Sequence, residues 1–276
     1  MPDRARLDGR VAVVTGGGRG IGRAVAVRLA SAGASVMVTA RTESEIEETA
    51  EQIRSDGGSA QAFPADVSEW DAVSRLAEET ERALGTATIV VANAGVLEPV
   101  GDAWEVAPGD WAKNLSVNLT GVFYTFRAFL PRMVERDAGV LIATSSGAAT
   151  HPILGSSAYC AAKAGVDHLV RNLAAEIDEQ GLSLRVHAFY PGVVDTSMQR
   201  RMRKMSEETF PEVGKYRRYH EQGVLRPPEE PAALVWWLAT PMAAEFHGEA
   251  VNIDDVSIRR RVADDLGVPP LQGRDA

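Results

Sequence analysis

Seven short apolar runs rich in β-branched residues alternate with amphipathic stretches, a rhythm that builds a parallel β-sheet covered by helices on both faces. The runs are Val11–Thr15, Ser35–Ala40, Ala60–Pro64, Ile89–Ala92, Val140–Thr144, Leu184–Phe189 and Ala250–Ile253. Between them the 3.6-residue apolar period predicts helices over Arg23–Ala32, Glu43–Ser55, Trp70–Leu84, Trp111–Arg136 and Tyr159–Gln180. Gly33, Gly57-Gly58, Gly85 and Gly181 stand where those helices should stop. The expected class is α/β, a doubly wound parallel sheet in three α/β/α layers. Neither a linker nor an internal repeat interrupts it, so residues 1–276 read as a single domain.

One segment breaks the rhythm. At about residues 196–228 no strand is expected, and basic residues gather: Arg200, Arg201, Arg203, Lys204, Lys215, Arg217, Arg218 and Arg226 against Glu207, Glu208, Glu212 and Glu221. That local excess of +4 sits in a chain whose 29 basic and 38 acidic residues sum to −9. An insertion of this length reads as a substrate-binding lid, although a pair of solvated helices would satisfy the same charges. The overall acidity argues against nucleic-acid or anionic membrane partners. A lone cysteine, Cys160, forms no intramolecular disulfide, and no apolar run approaches the length of a signal core or a membrane span, so a cytoplasmic location is expected. A C-terminal tail is expected from about residue 256, and the Pro and Gly of its last ten residues suggest a frayed or partner-docked end.

The first run leads into Thr15-Gly16-Gly17-Gly18-Arg19-Gly20-Ile21-Gly22, which matches T-G-x-x-x-G-x-G rather than G-x-G-x-x-G. Glycines placed there admit a tight turn and let main-chain N–H groups at a helix start approach a pyrophosphate. An acidic residue about twenty positions later would hold the ribose diol of NAD. Here the second run ends in Ala40-Arg41-Thr42 instead. Arg41, with Arg19 reaching from the glycine turn, suits a 2′-phosphate, so NADP(H) is expected in preference to NAD(H).

Tyr159 and Lys163 form a Y-x-x-x-K pair on one helical face, Ser146 lies thirteen residues before the tyrosine at the end of a strand, and Asn118 falls in the long preceding helix. A tyrosine titrates near pH 10, and an ammonium held close favours its phenolate, bringing it toward the range useful for acid–base work. Ser145 competes with Ser146 on position alone.

With Asp66-Val67, Asn93-Ala94-Gly95 and Pro191-Gly192-Val193-Val194-Asp195-Thr196 in the same order and spacing, residues 7–254 resemble the short-chain dehydrogenase/reductase family. The resemblance implies a Rossmann-type sheet and hydride transfer between a nicotinamide and a ketone or secondary alcohol. It implies that Gly16, Gly18, Arg19, Gly20, Ile21, Gly22, Arg41, Thr42, Asp66 and Val67 hold the adenosine and phosphates. Asn93, Ala94 and Gly95 would line the cofactor groove, with Pro191, Gly192, Val194 and Thr196 beside the nicotinamide. In the catalytic set, Tyr159 exchanges the proton, Ser146 hydrogen-bonds the substrate oxygen, Lys163 holds the cofactor ribose, and Asn118 anchors a relay water. The family's usual D-G-G turn after the last strand is absent, Val251-Asn252-Ile253-Asp254-Asp255-Val256 standing instead, which puts the C-terminal packing in doubt. Family members are commonly tetramers, so a homotetramer or homodimer is implied.

The five histidines show no zinc-ligand spacing, and no metal is expected. His151 is the exception kept for substrate contact, since it follows the serine strand; Met198 and Met202 of the insertion are further candidates for the substrate wall. Cys160 is expected to be a packed thiol, and Trp236 and Trp237 core or subunit contacts. A basic lid suits an anionic partner such as a 3-oxoacyl thioester on coenzyme A or a carrier protein, while its Met, Phe and Tyr residues equally suit a hydrophobic or polyketide-like ketone. Two other functions fit the same fold: a nucleotide-binding regulatory protein, and a non-redox lyase or epimerase using the same tyrosine.

Overall fold

The computed structural model describes residues 2–271. Seven strands, β1 (Val11–Thr15), β2 (Ser35–Thr39), β3 (Ser59–Ala62), β4 (Ile89–Ala92), β5 (Val140–Thr144), β6 (Arg185–Tyr190) and β7 (Ala250–Asn252), form one sheet. Its order is β3-β2-β1-β4-β5-β6-β7 and every pairing is parallel. The central strands β1, β4 and β5 are buried along their whole length, as unbroken Val/Ile/Ala runs covered on both faces must be. The edge strand β3 alternates exposed and buried residues and ends at Ala62, two residues short of the expected Pro64.

On one face, α1 (Gly20–Ser31), α2 (Glu43–Ser55), α9 (Glu229–Leu238) and α10 (Val256–Leu266) enclose a core that contains Leu29, Ile46, Phe189 and Trp237. On the other, α3 (Trp70–Leu84), α5 (Gly121–Arg136) and α6 (Ser157–Glu179) enclose Leu76, Phe126, Met133 and Val170. Helix α9 is apolar nearly all round and accordingly buried between neighbours. Trp236 and Trp237 both lie in the core, their indole N–H groups donating to the Ala5 carbonyl and to Asp265, each at 2.8 Å.

Two expectations change. The single helix over Trp111–Arg136 is α4 (Pro108–Leu115) running through a π-turn at Ser116–Thr120 into α5. The extra residue in that turn lets Asn114 and Asn118 both reach the loop after β4, a slip in hydrogen-bonding that composition does not encode. The C-terminal packing put in doubt by the missing D-G-G turn is present: Asp255 caps α10, and Ile258, Val262 and Leu266 pack into the core. Residues 272–276, part of the tail, lie outside the described residues.

Strand order reverses between β1 and β4, and the carboxyl ends of those two strands open a crevice where an α/β sheet of this type binds ligands.

Candidate active site

A single cleft of about 310 Å³ runs along the carboxyl edge of the sheet, from the glycine turn after β1 to the helices above β6. At one end it is lined by Gly16, Gly18, Arg19, Gly20, Ile21, Gly22, Arg41, Thr42, Asp66 and Val67. Asn93, Ala94 and Gly95 form its middle, and Pro191, Gly192, Val194 and Thr196 the wall beyond them. Tyr159, Ser146 and Lys163 open onto the same space. All the residues expected around a dinucleotide therefore share one cavity.

The glycine turn is held by a dense knot. The Thr15 hydroxyl accepts from the N–H groups of Asn93 and Ala94 at 3.0 and 3.1 Å, while the Asn93 amide donates to the Thr15 carbonyl at 3.0 Å. Gly16 and Gly20 take φ of +66° and +55°, where a side chain would be strained. Helix α1 begins at Gly20 with no side chain capping its first turn, so its amides face the cleft without a protein acceptor of that kind. Arg19 pairs with Glu45 at 3.2 Å and Arg41 lies 3.8 Å from Asp66, so each exposed arginine already faces a carboxylate.

Deeper in, α6 presents Tyr159 and Lys163 to the end of β5. Ser146 opens onto the cleft beside Tyr159, whereas Ser145 is buried and donates to the Lys163 carbonyl at 3.4 Å; their placement thus separates the two serines. The Lys163 ammonium donates to the Thr144 carbonyl at 2.7 Å and lies 5.6 Å from the centre of the tyrosine ring. Burial pushes the lysine down to about 8, against the pull of Asp167. Burial also pushes the Tyr159 phenol above its ordinary value, with the neighbouring Ser146 side chain working the other way. The expected lowering of the phenol by Lys163 is therefore not what governs it here: desolvation outweighs the other influences on both groups, since the surrounding protein shields both from most of the water.

Asn118 sits in the π-turn, wholly buried and away from the cleft surface. Its amide donates to the Val96 carbonyl and to Asn114, each at 2.8 Å, and accepts from the Val96 N–H at 3.1 Å. A Cβ on Gly95 would stand 2.8 Å from its oxygen and 4.0 Å from the lysine nitrogen, so a glycine is what lets that loop pass between them.

Beyond the tyrosine the cleft becomes apolar. Leu97, Ile153, Val193, Met198, Met202 and Tyr216 line it, and the last two belong to a small core under α7 (Ser197–Arg203) and α8 (Val213–Glu221). His151 does not join them. It is exposed, bonded to the Thr150 hydroxyl at 2.9 Å, because the turn over Gly147–Ala149 carries it outward and brings Ile153 to the cleft instead.

The basic insertion also looks different once folded. Arg200 pairs with Asp195, Arg201 with Glu98 and Lys215 with Glu212, while Arg217 donates to the carbonyls of Arg203 and Met205. Arg226 is buried, with Glu230 at 2.7 Å and Asp254 at 2.6 Å, and its backbone bridges Val193 and Asp195. That cluster closes the insertion onto α9 and the end of β7, so Asp254 serves a packing role despite the missing D-G-G turn. Cys160 is free and half-buried.

The family model described as short chain dehydrogenase matches residues 10–207. The chain belongs to the short chain dehydrogenase family. It is 34% identical over 253 residues to an acetoacetyl-CoA reductase of Synechocystis, covering 90% of this chain and 96% of the relative. It is 35% identical over 251 residues to a galactitol 2-dehydrogenase of Rhizobium johnstonii, covering 90% and 95%. A crystal structure from Beutenbergia cavernae, assigned as an NAD(P)-dependent gluconate 5-dehydrogenase with NADP bound at low occupancy, superposes with a TM-score of 0.81 at 32% identity, over 91% of this chain and 97% of that one. As a short chain dehydrogenase the protein is an oxidoreductase of a family that binds a nicotinamide cofactor. Its cleft fits such a group: the bare glycine cradle, the uncapped α1 amides and the adjoining arginines form a donor set for a pyrophosphate and its nucleosides. Among the described residues, no helix is long and apolar enough to cross a membrane.

Proposed function

We propose that this protein is an NADP(H)-dependent reductase/dehydrogenase that interconverts a neutral, apolar ketone and its secondary alcohol. The observation that carries the reading is the meeting of Tyr159, Ser146 and Lys163 at the point where one continuous cleft passes from a phosphate-suited end to an apolar end. When bound, the nicotinamide supplies or accepts the hydride. Tyr159 gives the proton to the carbonyl oxygen in reduction and takes it back in oxidation; its raised pKa keeps it a donor. Ser146 hydrogen-bonds the same oxygen and fixes its position beside the phenol, where negative charge grows in the transition state. Lys163 holds the ribose side of the cleft, and Asn118 keeps the β4 loop spaced against it.

Arg19 and Arg41 favour a 2′-phosphate, which would displace Glu45 and Asp66 from them. Arg41→Asp should lower the NADP-over-NAD preference in binding by about tenfold or more, the value of a charge-assisted hydrogen bond. Titration of each dinucleotide by fluorescence checks it, and an unchanged ratio places the discrimination elsewhere.

The wall supports the choice of substrate. Six apolar or aromatic side chains reward burial of hydrocarbon at about 0.8 kcal/mol per CH₂ group. The one arginine among the lining residues of the insertion, Arg201, is paired with Glu98, which leaves little field for an anion. A panel of ketones followed by NADPH absorbance tests the assignment. Cyclic or aromatic ketones should exceed 3-oxoacyl thioesters in kcat/KM by about tenfold or more; the reverse order overturns the substrate class, and absence of NADPH oxidation across the panel overturns the activity.

A further inference from the structure

Tyr159 and Lys163 are not the end of a ladder. Four residues further along the same face of α6 stands Asp167, a carboxylate only 3% exposed in a helix face otherwise turned to the core. A buried carboxylate requires partners, and here they are unequal. Oδ2 accepts a hydrogen bond from the Tyr190 hydroxyl, at the end of β6 just before Pro191, while Oδ1 is buried with no hydrogen-bond partner among the described residues. Lys163, one turn earlier on the same face of α6, is the neighbouring buried cation; the two charges are not in direct contact, and among the described residues the ammonium, which has three donors, donates to the Thr144 carbonyl.

We propose that Asp167 is a positioning residue, the counter-charge of Lys163, braced by Tyr190 and set one helical turn below so that the lysine stays an ammonium beneath Tyr159. The inference rests on the dehydrogenase reading above and adds to it a residue that touches neither substrate nor cofactor. It accounts for a carboxylate kept in a place where an apolar side chain would pack without a desolvation cost. Electrostatics agrees in direction. Desolvation drives the lysine toward neutrality, and the opposing influence is Asp167. The Tyr190 phenol, facing the same carboxylate, is pushed well above its ordinary value by burial and by that charge, so it remains a donor to Asp167.

Of the other titratable groups, Tyr159 lies against Lys163 and Tyr190 from β6 against Asp167, with Arg171 on α6 bearing on Tyr190; Cys160 on α6 and Tyr216 from α8 bear on Tyr159. From β5 come Thr144 and Ser145, and from the α4–α5 junction Asn114 and Asn118, all neutral. Arg171 bears on Tyr190 in the sense opposite to Asp167.

The sign of the effect is fixed. Lys163 loses its proton as pH rises through about 8. Removing the negative charge of Asp167 weakens the ammonium further, so the alkaline limb moves to lower pH. The test is the pH profile of NADPH dissociation, read by fluorescence, beside that of kcat/KM for any ketone the wild type reduces, on the full chain with melting temperature as the folding control. Asp167→Asn and the smaller Asp167→Ser should each bring the alkaline limb down by about one pH unit. Tyr190→Phe keeps the charge and should leave the limb where the wild type has it. A folded Asp167→Asn or Asp167→Ser whose limb coincides with the wild type overturns the proposal, as does Tyr190→Phe moving it as far as loss of the charge. The binding profile needs no turnover, so a wrong assignment of the reaction shows in the absent activity while the lysine limb is still read.

Discussion

Tyr159→Phe is expected to lower turnover about a thousandfold while NADPH binding stays near that of the wild type. The substitution keeps the ring, its packing beside Leu97 and Met202 in the small lid core, and its place 5.6 Å from the Lys163 ammonium. It removes one oxygen. That oxygen lies beside Ser146, and losing even one hydrogen bond there costs about 1 kcal/mol of stability. Loss of the proton donor raises the barrier by about 4 kcal/mol, on the scale where each 1.36 kcal/mol is tenfold in rate. The two costs differ enough to be told apart by measuring kcat, the dissociation constant of NADPH and the melting temperature on one preparation. A variant that keeps more than about a tenth of the wild-type kcat places the proton transfer on another group. A variant that loses cofactor binding in proportion to kcat assigns the hydroxyl to the ribose instead of the substrate.

The fold was legible where burial is two-sided. β1, β4 and β5 announce themselves because every residue in them is covered, so the apolar run is unbroken, whereas β3 at the sheet edge is half polar and its end was misplaced by two residues. The glycine turn and the Tyr159/Lys163 pair were legible because chemistry fixes their local spacing. What stayed hidden depends on distant contacts. Arg201 reads as free basic charge until the fold brings Glu98 to it across 103 residues. His151 reads as a neighbour of Ser146 until a single 3-10 turn rotates it away and offers Ile153. Asp167 carries no signal of its own in the sequence, since only the return of β6 brings Tyr190 against it. The available clue was its register, two helical turns from Tyr159 on the face that must be buried.

Gly22→Ala is expected to weaken NADPH binding about a hundredfold and to destabilise the fold by about 1–3 kcal/mol, the usual cost of overpacking. Gly22 lies inside α1 with an ordinary helical backbone, so its requirement is not conformational. It is one of approach. A Cβ there would stand 2.1 Å from the Gly16 carbonyl oxygen and 2.5 Å from the Asn93 amide nitrogen. Neither can give way cheaply: Gly16 is in the left-handed turn at φ +66°, and the Asn93 amide already donates to the Thr15 carbonyl. The first turn of α1 must instead move away from β1, taking with it the amides that would face the phosphates of a bound cofactor. Loss of one or two charge-assisted hydrogen bonds, each about 1.5–3 kcal/mol, accounts for the hundredfold. Gly109→Ala supplies the contrast, because nothing lies within 4 Å of its Cβ position near the start of α4. It should bind NADPH as the wild type does and melt no lower, alanine being the better helix former. Equal binding by Gly22→Ala and the wild type would mean that the helix start and the cofactor phosphates do not meet as the glycine turn implies.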